Sequence, residues 1–509
     1  MADNLAASYV PKELTAAEQD LFTRAGIWFE DHRAEFVADL LAWVAVPSVS
    51  EASQAQPGKP FGPEVARIFD LVTARARELG FRTETHDGYA ISVLWGDASE
   101  EIGLVSHLDV VPAGENWTFE PYAPFERDGF VVGRGASDNK GPALVDLYLL
   151  RALRDLGLRP RRTIRIVYGG AEETGMEDME HYARHYPIPE VSIISDGGFP
   201  VNYAQKGGLN LSLHVPAGPV LSGFRAGVAE NAVPATAAIR LPQAYETVRQ
   251  ALAQLPADLA AVLTVAEADG ATVLTARGQS GHAAFPENTR NAIPLLLRAL
   301  IGAGLVEGRD LQAAQVVAGI LADPWGEGAG TAREDETTGR LTQNGGIVVP
   351  ADDGFDLSID IRYPISADAA ELVEVLTQAL RPVGGSVRVT RHAAPMHIDR
   401  DSDLVRLLQD TFDTLAQTKT EPFAMGGGTH ARVFPKSVTF GPGFGRNPDL
   451  SFRGESVTVH PAFVPEVHGA AHGPDEFVSL ENLKRALGVY AVTLPRLDDW
   501  LDRGSRSHA

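Results

Sequence analysis

"RTIRIVYGGAEETG", residues 162–175, runs an apolar stretch into a Gly-Gly step and two adjacent glutamates. The apolar stretch reads as a short buried strand bounded by turn residues, with Glu172 and Glu173 just past its carboxyl end. Unspaced carboxylates repel each other. Such a pair is either a solvated surface turn or the source of two different services at one site, and the rest of the chain has to decide. Working outward, comparable apolar runs occur in "YAISVLWG", "EIGLVSHLDVVP" and "VSIISDGG", and helical segments such as "GPALVDLYLLRALRDLG" separate some of them. This alternation indicates an α/β fold, a largely parallel sheet flanked by helices. "HRAEFVADLLAWVAVPSVS" and "PEVARIFDLVTARARELG" carry apolar residues at helical spacing and stop near Pro47 and Gly80.

After about residue 204 the texture changes. Strand-like pieces ("LNLSLHV", "ATVLTAR", "FDLSIDIRYP") alternate with helices ("NAIPLLLRALIGAG", "AAELVEVLTQALRPVG"), as in two similar α+β halves. From about residue 395 a helix, "SDLVRLLQDTFDTLAQ", leads into Gly-rich loops and a last helix. A chain of 509 residues exceeds what one core normally organises. The expected arrangement is a discontinuous catalytic domain, residues 1–204 and 395–509, with residues 205–394 inserted as an α+β lid.

Composition narrows the chemistry. There is no cysteine, which removes disulfides, thiolate nucleophiles and Cys-based zinc sites, so any metal must be held by His, Asp and Glu. The formal charge of −23 argues against a nucleic-acid partner. Neither a secretory signal nor a membrane-length apolar run is visible, so the chain is expected to be cytoplasmic and free of the membrane.

The strand ends carry the candidate chemistry. His107 and Asp109 lie two apart in "LVSHLDVVPAG", the spacing that puts two side chains on one face of a strand. A carboxylate beside an imidazole orients it for metal ligation. Asp138 sits in the Gly-punctuated "GRGASDNKGP", where a helix cap would be the ordinary role. Asp196 follows the next strand in "IISDGG". Ligands in α/β sheets collect outside the carboxyl ends of strands, so His107, Glu172/Glu173 and Asp196 aim at one place. A further imidazole is expected from "VHPAFVPEVHGAAHGPDEF", where composition leaves His460, His468 and His472 open.

The motifs "HLDVVP", "GRGASDNKGP", "GGAEETG", "ISDGG" and "AHGPDEF" resemble those of the dizinc aminoacylase/carboxypeptidase-type metallopeptidase family, most of all its bacterial PepV-type, carnosinase-like (Xaa-His) dipeptidases. The likeness runs through nearly the whole chain. It implies two zinc ions, with cobalt or manganese as substitutes. His107, Asp138 and Asp196 would hold one, and Asp138, Glu173 and His472 the other, with Asp138 bridging. Glu172 would be the general base and Asp109 would orient His107. A cis peptide is implied at Asp138-Asn139. A base bound to metal would lose its basicity, so one free and one ligating glutamate is a sensible division.

The resemblance extends to substrate binding. His282, in "GQSGHAAFPENTRNAI", matches the lid histidine that stabilises the oxyanion, although Gly281 stands where the family usually has Ala. Asn231 and Arg362 match positions that hold the substrate carbonyl and its terminal carboxylate, and Gly428 and Thr429 of "MGGGTHAR" a loop that cradles that carboxylate. The lid is about double the usual size, which in PepV-like members lets the histidine act within its own chain and implies a monomer. The expected activity is a dipeptidase for short unblocked peptides. The rivals are an N-acyl amino acid deacylase or desuccinylase of the same family, and a peptide-binding relative without catalysis. The loop between "FGPG" and His472 is longer than the family pattern suggests.

Overall fold

The computed structural model describes residues 13–506 apart from 269 and 445–449. The first 12 residues of the stretch inspected for a leader, and residues 445–449 of the long loop before His472, lie outside the described residues. The chain divides into two compact units. The first comprises 1–203, 398–423 and 429–509, and the second 204–397 and 424–428.

The main sheet of the first unit contains β1 (Arg82–His86), β2 (Ala90–Trp95), β3 (Glu101–His107), β4 (Thr163–Gly169), β5 (Val191–Ile194), β6 (Val201–Gln205) and β7 (Ser437–Phe440). They assemble in the order β1-β2-β4-β3-β5-β7-β6. The four in the middle, β4-β3-β5-β7, are parallel. The flanking pairs β1/β2, β2/β4 and β7/β6 are antiparallel. Parallel character is thus confined to the centre, where both faces are covered and the strands read as continuous apolar runs. β4 shows this: every residue from Thr163 to Gly169 is buried. Full burial of side chains such as Ile166 and Val167 contributes about 1.5–3 kcal/mol each.

Six helices clothe this sheet: α1 (Ala16–Val44), α2 (Pro63–Glu78), α3 (Gly141–Asp155), α4 (Glu177–His185), α5 (Asp403–Ala416) and α6 (Leu480–Arg506). A capping box between Thr15 and Glu18 starts α1, which extends well N-terminal of the segment singled out by periodicity. Pro63 opens α2 behind Gly62, and Gly80, at φ 84°, follows its end. α3 is buried over nearly its whole length and packs, like α1, against α6.

Besides a short hairpin of Glu334–Asp335 with Gly339–Arg340, the second unit carries an eight-stranded antiparallel sheet. Its strand order is Leu263–Ala268, Ala271–Arg277, Thr236–Leu241, Arg225–Ala226, Thr342–Ala351, Gly354–Tyr363, Gly207–Pro216 and Ser386–Ala393. The two expected halves are therefore fused, and the Ala226–Val348 pairing joins them. Alternate residues Leu209, Leu211 and Leu213 face a core completed by Leu296, Val317 and Leu376 from helices Ala292–Gly302, Gly308–Ile320 and Ala369–Leu380. No helix among the described residues is long and apolar enough to cross a membrane.

One buried histidine gives this fold a pH-dependent stability. His86, at the end of β1, has Nε2 2.7 Å from Ser92 Oγ, while Nδ1 has no partner among the described residues. Burial, helped by the charge of Arg165, holds its pKa down to about 4. Between that value and an unfolded pKa of about 6.5, the unfolded chain binds a proton that the folded chain does not. Stability therefore falls as pH drops through this window, by up to about 3 kcal/mol. Urea unfolding at pH 7 to 4.5 should show a shallower fall for His86→Gln than for the wild type; parallel curves would refute the assignment.

Candidate metal centre

β3, β4 and β5 lie side by side and parallel, so their carboxyl ends share one edge: His107 pairs with Gly169, and Val105 with Ile194. His107 is the last residue of β3, the Glu172–Glu173 turn follows β4, and Asp196 comes two residues after β5. Asp109 lies two residues past the end of the strand. Leu108 N still donates to Gly169 O at 2.9 Å, one further rung between the two segments.

Asp109 acts as a clamp there. His107 Nδ1 lies 3.0 Å from the Asp109 carbonyl and 3.3 Å from Oδ1. The same carboxylate accepts from Glu172 N at 3.2 Å and Glu173 N at 3.1 Å. A proton on Nδ1 directed at Asp109 leaves Nε2 as the lone-pair donor.

The two oxygens of Asp138 face different partners. Oδ1 is 3.0 Å from His107 Nε2, which lies 3.7 Å from Asp196 Oδ1. Oδ2 is 3.2 Å from His472 Nε2, which lies 2.9 Å from Glu173 Oε1. Donors on one tetrahedral zinc, each about 2.0–2.2 Å from it, are themselves roughly 3.3–3.6 Å apart. The donor set, two imidazoles and carboxylate oxygens, thus fits divalent cations in type and spacing. Candidate ligand atoms of His107, Asp138 and Glu173 lie within 4.8 Å of one another, as do those of His107, Glu172 and Asp196. The peptide between Asp138 and Asn139 is cis.

Electrostatics point the same way. Burial, then the charge of Asp196, pushes the Glu172 carboxyl well above the usual carboxylate range. Burial and Asp138 push Glu173 up to about 7. Hydrogen bonds to Asp138 and Glu173 push His472 up to about 11. Burial opposes ionisation of Asp138, but hydrogen bonds from His107 and His472 outweigh it and hold its pKa well below the usual range. Glu172, Glu173 and His472 thus hold their protons more tightly than usual, and bound cations would take the place of those protons.

Among the three histidines left open by composition, His472 is the one brought to the cluster. His468 Nδ1 lies 2.7 Å from Asp475 Oδ2, and His460 Nε2 lies 3.4 Å from the His468 carbonyl. In the second unit the backbones of Asn231 and His282 adjoin, Ala283 N donating to Asn231 O at 2.9 Å. His282 Nδ1 accepts from Ala284 N at 3.0 Å. Arg362 forks onto the buried Asp360, Nε to Oδ1 at 2.8 Å and Nη2 to Oδ2 at 2.9 Å, which leaves three of its five N–H donors for another acceptor. Gly428 ends the 424–428 piece of the second unit and Thr429 resumes the first. The Thr429 hydroxyl is turned inward, accepting from Ala431 N at 3.2 Å and lying 3.1 Å from Thr439 Oγ1.

Two buried acids escaped the sequence reading. Asp146, on α3, accepts from the hydroxyls of Ser106 and Ser195, which immediately precede His107 and Asp196. An acid inside the apolar run "ALVDLYLL" was the available signal. Asp178 accepts from Ala171 N at 2.9 Å and lies 3.2 Å from His430 Nε2, tying the Glu172–Glu173 turn to the Gly-rich loop. Nothing in its neighbourhood marks it.

Known proteins resemble this chain over most of its length. YtjP of Bacillus subtilis, which carries a provisional dipeptidase name, is 30% identical over 475 residues, 91% of this chain and 97% of the relative. The Beta-Ala-Xaa dipeptidase of Lactobacillus delbrueckii subsp. lactis is 26% identical, over 92% of this chain and 97% of its own. In fold the chain is similar to the di-peptidase Dug1p from Saccharomyces cerevisiae (TM-score 0.57, 12% identity, 96% of this chain and 99% of that one). Residues 103–496 match peptidase family M20/M25/M40. The chain belongs to that family.

Proposed function

We propose that this chain is a dizinc dipeptidase that hydrolyses short unblocked peptides. The observation that carries this reading is the bridging posture of Asp138, whose two oxygens face separate imidazole–carboxylate sets. The names of the two similar proteins support the substrate class. His107, Asp138 and Asp196 would hold one ion, and Asp138, Glu173 and His472 the other; N and O donors suit zinc, with cobalt or manganese as substitutes. Ions held there polarise the scissile carbonyl and acidify the attacking water. Glu172, fixed through its N–H on Asp109, takes the proton from that water and delivers it to the leaving amine.

The second unit acts as the lid in this reading. His282 stabilises the oxyanion, Asn231 holds the substrate carbonyl, and the free N–H groups of Arg362 hold the terminal carboxylate, oriented by the fork on Asp360. Backbone N–H groups at Gly428 and Thr429 cradle the same carboxylate. His282 acts in cis, and the enzyme is a cytoplasmic monomer.

A substrate panel tests the activity. Free dipeptides should be cleaved at least about 100-fold more efficiently than the matching N-acetyl amino acids, because an acyl group removes the ammonium. The opposite ranking would make the enzyme an N-acyl amino acid deacylase. A chelator should abolish turnover, and added zinc should restore it.

A further inference from the structure

Behind the candidate ligands lies an ion pair with no assigned role. Arg134 and Glu476 are almost fully buried, and Arg134 Nη1 donates to Glu476 Oε2 at 2.6 Å. The carboxylate also serves the loop that carries Asp138. Oε2 accepts from Gly135 N at 3.0 Å. Oε1 accepts from Ser137 N at 2.9 Å, Ser137 Oγ at 3.0 Å and Asp138 N at 3.0 Å. The guanidinium reaches the other way. Nη2 donates to the carbonyls of Ala113 at 3.1 Å and His472 at 3.2 Å, the latter 338 residues away in the chain.

A buried ion pair adds little net stability compared with well-packed apolar residues, so stability alone does not explain this one. Its contacts do. The backbone N–H groups of Gly135, Ser137 and Asp138 all converge on one carboxylate, which fixes where Asp138 emerges. His472 has a left-handed backbone, φ 63°, which costs about 1–3 kcal/mol and persists only where surroundings hold it. The bond from Arg134 to its carbonyl is one such restraint. A carboxylate that must meet two ions tolerates errors of only about 0.5 Å.

We propose that Arg134 and Glu476 are the positioning residues of the metal centre, Glu476 setting the bridging Asp138 and Arg134 setting His472. The proposal rests on the metal-centre reading above. Glu476→Gln places an amide NH₂ against at least two of the N–H donors, whichever way it turns. Arg134→Lys keeps the charge facing Glu476 but loses the fork that reaches His472.

The test is calorimetric titration of the full-length apoprotein with zinc against a competing chelator. It compares wild type, both variants and His472→Ala, with the thermal midpoint of each apoprotein as the check on folding. The wild type should bind in two steps, and His472→Ala identifies the step belonging to its site. Glu476→Gln should weaken both steps by about 10–100-fold, and Arg134→Lys only the His472 step. Folded variants with unchanged affinities would overturn the proposal and leave the metal centre standing. A wild type that binds no zinc would overturn both. If Glu476→Gln does not fold, the site-selective effect of Arg134→Lys decides, because a merely structural role would weaken both steps alike or neither.

Discussion

Glu172→Ala should lower kcat by up to about 10⁴-fold while leaving both metal ions bound, because proton transfer by a positioned base contributes roughly 10²–10⁴. The neighbouring substitution should behave differently. Glu173→Ala removes the carboxylate that faces His472 at 2.9 Å, so it should release the ion of that set along with activity. Metal analysis after dialysis, run beside a dipeptide assay, separates the two. Turnover that survives Glu172→Ala would sink the mechanism. Loss of metal from Glu172→Ala, with retention in Glu173→Ala, would mean the two glutamates have exchanged roles. That outcome is a real alternative to test, since candidate ligand atoms of Glu172 lie within 4.8 Å of those of His107 and Asp196.

Asp138→Ala should have the broadest effect on metal. Its two oxygens lie 3.0 Å from His107 and 3.2 Å from His472, so a single truncation strips a ligand from both sets. Affinity should drop at both sites by more than about 100-fold, the upper end of what loss of an outer-shell partner costs. His472→Ala, by contrast, should empty only one. Titration of the apoproteins with zinc distinguishes these cases. Equal loss in both variants would show that the two sites fill as one unit, and loss of only one step in Asp138→Ala would show that this carboxylate does not bridge.

The alternation of apolar runs and helices was enough to recognise the α/β layer and to bring His107, the glutamate pair and Asp196 to one edge of it. Period-two and period-3.6 patterns report which faces are buried, and a parallel arrangement then sends successive strand ends the same way. The pattern did not reach the antiparallel flanks of the sheet or the fusion of the second unit into one sheet. Strand order depends on which edges meet across long stretches of chain, and local hydropathy carries no record of that. Asp109 shows the same limit at the scale of one residue. Spacing put it beside His107, but only the folded chain brings its carboxylate to the backbone of the glutamate turn as well.

The residue types needed for the chemistry were legible in order along the chain, because ligands and bases are limited to a few side chains and no cysteine competes with them. Their pairing was not. Composition left three histidines open, and only packing brings His472 beside Glu173 and Asp138 while His468 is taken up by Asp475. The supporting acids were equally hidden. Asp146 stands out only as an acid in an apolar run and Glu476 not at all, and both acquire meaning from backbone donors and hydroxyls contributed by distant segments. A metal centre is a statement about distances of a few ångströms between residues hundreds apart, and those distances exist only once the chain has folded.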